Sequence, residues 1–115
     1  MTRRTERVNE ALREEISNLL LRETRDPRLA HIVSITAVEV ASDLKCAKVF
    51  VSVLGTEEDK KEVMVGLQSA ANFLRRALTS RLRLRHIPVL NFRRDDSIER
   101  GSRILQLLKE IGPEE

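Results

Sequence analysis

The chain has 115 residues, of which 41% are hydrophobic and 34% are charged, a composition typical of one globular domain. No apolar run approaches the roughly 20 residues that span a bilayer, and the amino-terminal residues lack the apolar segment of a secretory signal. The single cysteine, Cys46, excludes an internal disulfide, so the composition predicts a cytoplasmic protein with no membrane partner.

The first three elements are predicted to be a helix and a hairpin. Residues 5–23 carry apolar side chains at helical spacing and predict an amphipathic helix. Asp26-Pro27 ends it, because the residue before a proline is pushed out of the α region. Two β-branched segments, at residues 32–41 and 46–54, predict strands, and the short turn between them indicates an antiparallel hairpin.

A long central helix follows the hairpin. Thr56 precedes three acidic residues and predicts its N-cap. An apolar stripe at helical spacing then runs from Val63 to Leu82. A helix of about 26 residues exceeds the usual length, so we expect a break inside it. It must end before Ile87-Pro88, where proline forces an extended backbone.

A third strand and a last helix complete the chain. Val89–Arg93 reads as a strand, Asp96–Glu99 opens a helix, and Gly112-Pro113 closes it. The elements predict an α+β layer fold, with helices packed on one face of a three-stranded sheet. We expect a single domain over residues 1–115 that exists as a monomer.

The charge distribution is the first functional signal. Net charge is only +3, but from Val63 to Arg94 the chain carries seven Arg and no Asp or Glu. An α-helix turns by ~100° per residue, so one polar arc of the central helix collects Asn72, Arg75, Arg76, Thr79 and Arg83. Arg81 falls towards the apolar side, and Arg85 and His86 follow in the connection to the third strand.

A basic face without acidic neighbours predicts a polyanionic partner, and nucleic acid is the partner that we expect. Two other interpretations stay open. In the first, the arginines form a solvated helix face with no partner. In the second, the domain is a protein-interaction module that binds an acidic partner or self-associates.

The remaining side chains indicate no base-stacking, catalytic or metal site. Phe50, Phe73 and Phe92 lie in apolar patterns and are predicted to be core residues, so we expect recognition of the nucleic-acid backbone and shape with little base reading. Cys46 and the two histidines lack the neighbours that a nucleophile or a metal ligand needs. We therefore expect no enzyme activity, no metal and no cofactor.

Five segments in order resemble the ribosome-binding factor A family, over Arg7 to about Leu108. They are RVNEALREEIS (Arg7–Ser17), DPRL (Asp26–Leu29), VEVASDLKCAKVFVSV (Val38–Val53), LRLRHIPVLNF (Leu82–Phe92) and DDSIERGSRI (Asp95–Ile104).

The resemblance implies a type II KH-like domain, α-β-β-α-(kink)-α-β plus a C-terminal helix. In place of the G-x-x-G loop of other KH domains, this family has Ala-x-Gly at an interhelical kink. The matching residues here are Ala70-Ala71-Asn72, so the glycine is missing. Asn adopts the left-handed backbone more readily than other non-glycine residues, and we expect Asn72 to be the pivot of a break. The alternative is a continuous helix with Asn72 facing solvent.

The resemblance also implies a function. The family binds immature small (30S) ribosomal subunits near the decoding region, and assists late maturation of 16S ribosomal RNA, notably in the cold. A ribosome-associated GTPase promotes its release. The RNA-binding residues are then predicted to be Arg75, Arg76 and Arg83, flanked by Arg81, Arg85 and His86.

The basic amino-terminus is predicted to add a secondary RNA contact through Arg3, Arg4 and Arg7. Positive charge there opposes the helix dipole, so folding alone gives little reason for it. A solvated, mobile basic end at residues 1–4 is the alternative, and residues 113–115 are predicted to form a tail.

Overall fold

The structure is a computed structural model that describes residues 3–23 and 33–111. The described elements are α1 (Arg3–Glu23), β1 (Val33–Val40), β2 (Cys46–Val53), α2 (Glu57–Arg81), β3 (Val89–Arg94) and α3 (Ser97–Ile111). The predicted α+β class and element order are confirmed. Arg3 and Arg4 form the first turn of α1, and the predicted tail at residues 113–115 lies outside the described residues.

The sheet has the order β1-β2-β3 and mixes two kinds of pairing. β1 and β2 form the predicted antiparallel hairpin, with Val33 opposite Val53 and Val40 opposite Ala47. β3 runs parallel to β2, with Cys46 opposite Val89. Parallel neighbours need a long crossover, and α2 supplies it. The hairpin turn, the start of β3 and the residues that follow α2 therefore meet at one end of the sheet.

One face of the sheet carries the core, and α1 and α2 pack on it side by side. Alternate residues of the strands point into this layer, so Val49, Val51 and Leu90 are almost fully buried. Leu12 of α1 and Leu78 of α2 have no exposed surface and cover the strands from above. Helices on one face were predicted, and these two helices confirm the prediction.

A β-bulge in β1 connects the sheet to the start of α3. The register shifts between Ile35 and Ala37, which leaves Thr36 as the extra residue. The Thr36 hydroxyl donates a hydrogen bond to the Asp95 carboxylate at 2.7 Å, and that carboxylate also accepts the Ser97 N–H at 2.9 Å. These hydrogen bonds hold the pKa of Asp95 below its ordinary value and fix the first turn of α3.

The start of α2 follows the predicted pattern. The Thr56 hydroxyl accepts the Asp59 N–H at 3.1 Å, while the Asp59 carboxylate accepts the Thr56 N–H at 3.0 Å. This reciprocal capping satisfies backbone donors of the first turn that have no helical partner. Gly55 precedes the cap with φ +134°, a conformation that an L side chain rarely adopts.

The predicted break at Ala70-Ala71-Asn72 is absent. α2 is one helix of 25 residues, and the only non-glycine residue with positive φ in the described part of the chain is Leu44. The helix continues because its buried side chains keep one helical register across the predicted break. These side chains form one stripe: Leu67, Ala71, Leu74 and Leu78. Asn72 is exposed, as the alternative interpretation held.

Substitutions at Asn72 test this continuous helix. We expect Asn72→Ala to raise the free energy of unfolding by about 0.5 kcal/mol, because Ala is the best helix former at an exposed position. Asn72→Gly should lower it by about 0.5 kcal/mol for the same reason. Urea denaturation of both variants provides the measurement. A pivot with positive φ would reverse the order, so a Gly variant more stable than the Ala variant would contradict the continuous helix.

One residue that was predicted to lie in the core is exposed. Phe92 is buried and Phe50 is half-buried, but Phe73 is 48% exposed, so its assignment to the core is wrong. Phe73 lies on the solvent side of α2, because only the opposite side touches α1 and the sheet. The apolar face of α3, with Ile104 and Leu108 among its residues, is also exposed, and α3 makes no substantial contact with another described element. No described helix has the length and apolarity needed to cross a membrane.

Candidate nucleic-acid interface

Basic side chains from four parts of the chain meet at the end of the sheet that holds the hairpin turn. They line a cleft of about 540 Å³. The basic residues of this cleft, which we call the cationic cleft, are Arg4, Lys45, Arg75, Arg85 and His86. Ile87 and Pro88 are buried beneath it and join it to the core. The cleft is a concave surface whose base is buried.

Backbone contacts explain why these segments meet. The Asn9 amide oxygen accepts the Val40 N–H at 2.8 Å, which fixes the first turns of α1 beside the end of β1. The Val89 N–H donates to the Lys45 carbonyl at 2.9 Å, which joins the start of β3 to the hairpin turn. Arg4 and Lys45 therefore reach the same cleft although they are far apart in sequence.

Arg75 has a structural partner as well as a place in the cleft. Its Nε donates a hydrogen bond to the Ile87 carbonyl at 2.9 Å, which ties α2 to the connection that follows it. Asp43 is the only acidic residue that lines the described cleft, and its carboxylate accepts the Lys45 N–H at 3.0 Å within the hairpin turn. The cleft thus combines several cations with one carboxylate, an arrangement that attracts an anion.

Arg76 and Arg83 extend the basic surface beyond the cleft. Arg76 is exposed on the solvent side of α2, as predicted. Arg83 does not continue the helical arc with it, because α2 ends at Arg81 and the backbone of Leu82 is extended. Arg83 instead lies in the connection that also carries Arg85 and His86, and all three are exposed. Within residues 3–23 and 33–111, Arg76, Arg83 and Arg85 form no ion pair.

Two of the seven arginines from Val63 to Arg94 are engaged with carboxylates from other elements. Arg81 lies 3.5 Å from the Glu15 carboxylate of α1, so its charge is partly neutralised. Arg94 donates to Glu57 at 2.7 Å and to Asp96 at 2.9 Å. These hydrogen bonds raise the pKa of Arg94 and lower that of Glu57. Arg81 and Arg94 therefore contribute to packing between elements, and neither lines the cationic cleft.

Sequence reasoning missed two residues of this surface. Lys45 lies in the hairpin turn, and only the parallel pairing of β3 with β2 brings it beside Arg85. Phe73 was assigned to the core because it falls among apolar residues of a helix. A helical projection centred on Leu74 and Leu78 would have placed Phe73 on the opposite side.

The arrangement can bind an anion through its positive charges and hydrogen-bond donors. Among the described residues, no group of three His, Cys, Asp or Glu side chains is placed to hold a metal ion. An apolar cleft of about 360 Å³ lies between the end of α1 and the first half of α2, where Leu20 and Val63 line it. Its lining offers no cation to a phosphate, so the cationic cleft and the neighbouring arginines are the candidate interface.

Comparison with known proteins matches the whole chain. The family model for ribosome-binding factor A matches residues 4–108. The ribosome-binding factor A of Dictyoglomus thermophilum is 48% identical over 115 residues, which cover 100% of this chain and 96% of the relative. That of Thermosynechococcus vestitus is 49% identical over 114 residues, covering 98% of this chain and 90% of the relative.

Solved structures give the same result for the fold. A crystal structure of ribosome-binding factor A from Thermus thermophilus aligns with a TM-score of 0.66 at 26% identity, over 78% of this chain and 94% of that one. An NMR structure of a protein from Thermotoga maritima aligns with a TM-score of 0.60 at 38% identity, over 75% and 85% of the two chains. A third match has a TM-score of 0.59 at 26% identity, over 84% and 97%. It is a homology model of the T. thermophilus factor fitted into a cryo-EM map of a 30S complex. These likenesses confirm the KH-like α+β fold.

Proposed function

The chain belongs to the ribosome-binding factor A family, and from this membership we propose that it binds immature 30S ribosomal subunits through the phosphate backbone of their RNA. The cationic cleft is the observation that carries the proposal. It joins Arg4, Lys45 and Arg85 from three separate segments, whereas a solvated helix face would need no such convergence.

The geometry supports recognition of several phosphates at once. Arg76 and Arg83 lie outside the cleft and are exposed, so the basic surface is wider than one anion. Ribosomal RNA offers phosphates along an extended path, and several Arg side chains can each bind one of them by charge-assisted hydrogen bonds. The related factor fitted into a 30S complex supports the small subunit as the partner.

The finer parts of the function stay predictions from family membership. We propose that binding assists late maturation of 16S ribosomal RNA, that it matters most in the cold, and that a ribosome-associated GTPase promotes release. The protein acts as a binding factor and not as an enzyme in this proposal. A second function, binding of an acidic protein or of another copy, is the competing explanation of the same charges.

The dependence of binding on salt tests the proposal. Precursor 30S subunits are incubated with the protein at 50 to 200 mM monovalent salt with constant magnesium, and binding is measured by co-sedimentation. If about five phosphates are contacted, we expect the affinity to fall by about 10²- to 10³-fold over this range. Mature 50S subunits, which also expose RNA phosphates, are the matched control for specificity.

Two results would contradict the proposal. Equal affinity for 30S and 50S subunits would mean that the small subunit is not the specific partner. An affinity for 30S subunits that does not change with salt would mean that phosphate contacts do not drive binding. Binding that survives only while an acidic ribosomal protein is present would favour the competing explanation.

A further inference from the structure

Phe73 is an exposed aromatic residue beside an arginine-rich surface. It has 48% of its surface exposed, on the solvent side of α2. Its neighbours on that side, one helical turn away, are Ser69 and Arg76, which are also exposed. Because the side chain of Ser69 is short, it leaves the Phe73 ring accessible to a flat ligand.

We propose that Phe73 stacks on an unpaired base of the RNA, an inference that rests on the function proposed above. Every base has a π-face, so stacking on an aromatic side chain tolerates any sequence. The guanidinium of Arg76, one turn along the helix, is placed to bind the phosphate of the same or the next nucleotide. The domain would then hold a single-stranded nucleotide as well as RNA phosphates.

The surroundings of Phe73 favour RNA over a protein partner. Hydrophobic protein contacts use contiguous apolar patches. On the exposed side of α2 the other large apolar side chain is Val65, two turns away beside the acidic residue Glu62. A single ring surrounded by Ser, Asn and Arg is too small for such a patch, but one ring is sufficient to stack on one base.

Tryptophan fluorescence tests the stacking of a base on Phe73. The protein has no Trp and no Tyr, so Phe73→Trp introduces a single tryptophan whose fluorescence is quenched when a base stacks on it. Val65→Trp is the matched control, because it places the same reporter on the same side of the same helix, away from the arginines. The probes are a single-stranded oligo(A) RNA of about 12 nucleotides and a perfect RNA duplex of the same length.

We expect the single strand to quench Phe73→Trp strongly, the duplex to quench it weakly, and neither RNA to affect Val65→Trp. We also expect Phe73→Ala to bind the single strand about tenfold more weakly than the wild type, with duplex binding unchanged. Anisotropy of labelled RNA measures these affinities, and circular dichroism verifies the fold of each variant.

The alternative outcomes separate the two proposals. If Phe73→Trp binds the single strand without quenching, base stacking is wrong and phosphate binding stands. If Phe73→Ala loses affinity for both RNAs equally, the side chain has a structural role and the stacking proposal is overturned. If the wild type binds precursor 30S subunits but does not bind the single strand even at low salt, stacking on an unpaired base is overturned and the proposed function stands.

Discussion

Replacing Arg76, Arg83 and Arg85 together with glutamate is expected to weaken binding to precursor 30S subunits by about three orders of magnitude. Each arginine is exposed and forms no ion pair with a described residue, so each is available to a phosphate. A hydrogen bond to a charged group contributes roughly 1.5 kcal/mol, and three lost contacts correspond to about 10³-fold. The slope of the affinity against salt should also fall by about three.

The control for this variant has the same change in net charge at other sites. Lys48, Lys61 and Arg103 are exposed and lie outside the cationic cleft, and we expect their joint replacement with glutamate to weaken binding by much less. Co-sedimentation measures both variants. An equal loss in the control would mean that net charge alone attracts the subunit, and a folded triple-arginine variant with normal affinity would exclude this surface. Arg75 is left unchanged, because its bond to the Ile87 carbonyl supports the connection.

Leu78→Ala is expected to lower the free energy of unfolding by about 3 kcal/mol, the largest effect of a single substitution that we predict on stability. Leu78 has 0% exposed surface and lies in the stripe of α2 that covers the sheet. Truncating the side chain there loses its burial energy and leaves a cavity. Denaturation by urea, with circular dichroism as the probe, gives the free energy.

Leu105→Ala is the matched control, because it makes the same change on a helix where the side chain is 61% exposed. We expect an effect within about 0.5 kcal/mol. If the two variants lost similar stability, α3 would be packed against a surface that these contacts do not include. If Leu78→Ala lost less than about 1 kcal/mol, the site would have collapsed around the smaller side chain.

Much of the fold could be predicted from local patterns. The apolar spacing of α1, the two β-branched segments and the cap at Thr56 each encode an element within a few residues, and the structure places these elements where the patterns indicate. The break in α2 was inferred from length and from family resemblance. The prediction is wrong because Ala70 and Ala71 both favour a helix. The buried stripe of α2 also keeps one helical register through these two residues.

The interface could be predicted only in part, because its composition depends on which elements become neighbours. The excess of arginine is visible in the sequence and predicted Arg76 and Arg85 as residues of the interface. Both are exposed in the structure. The partner of Arg81 is Glu15, and this pair exists only because α1 and α2 lie side by side. Lys45 enters the cleft through the parallel pairing of β2 with β3, which no local pattern encodes.

That parallel pairing also affects the order of folding. The hairpin of β1 and β2 joins residues close in sequence and can form early, whereas β3 can pair with β2 only after α2 has crossed the sheet. A chain with only the hairpin and α1 formed lacks Arg75 and Arg85 beside Lys45, so it has no complete cationic cleft. Under the proposed function, affinity for RNA therefore appears only once β3 has paired with β2 and the cationic cleft is complete. Under the same proposal, RNA that binds only the complete fold also shifts the folding equilibrium towards that fold by mass action.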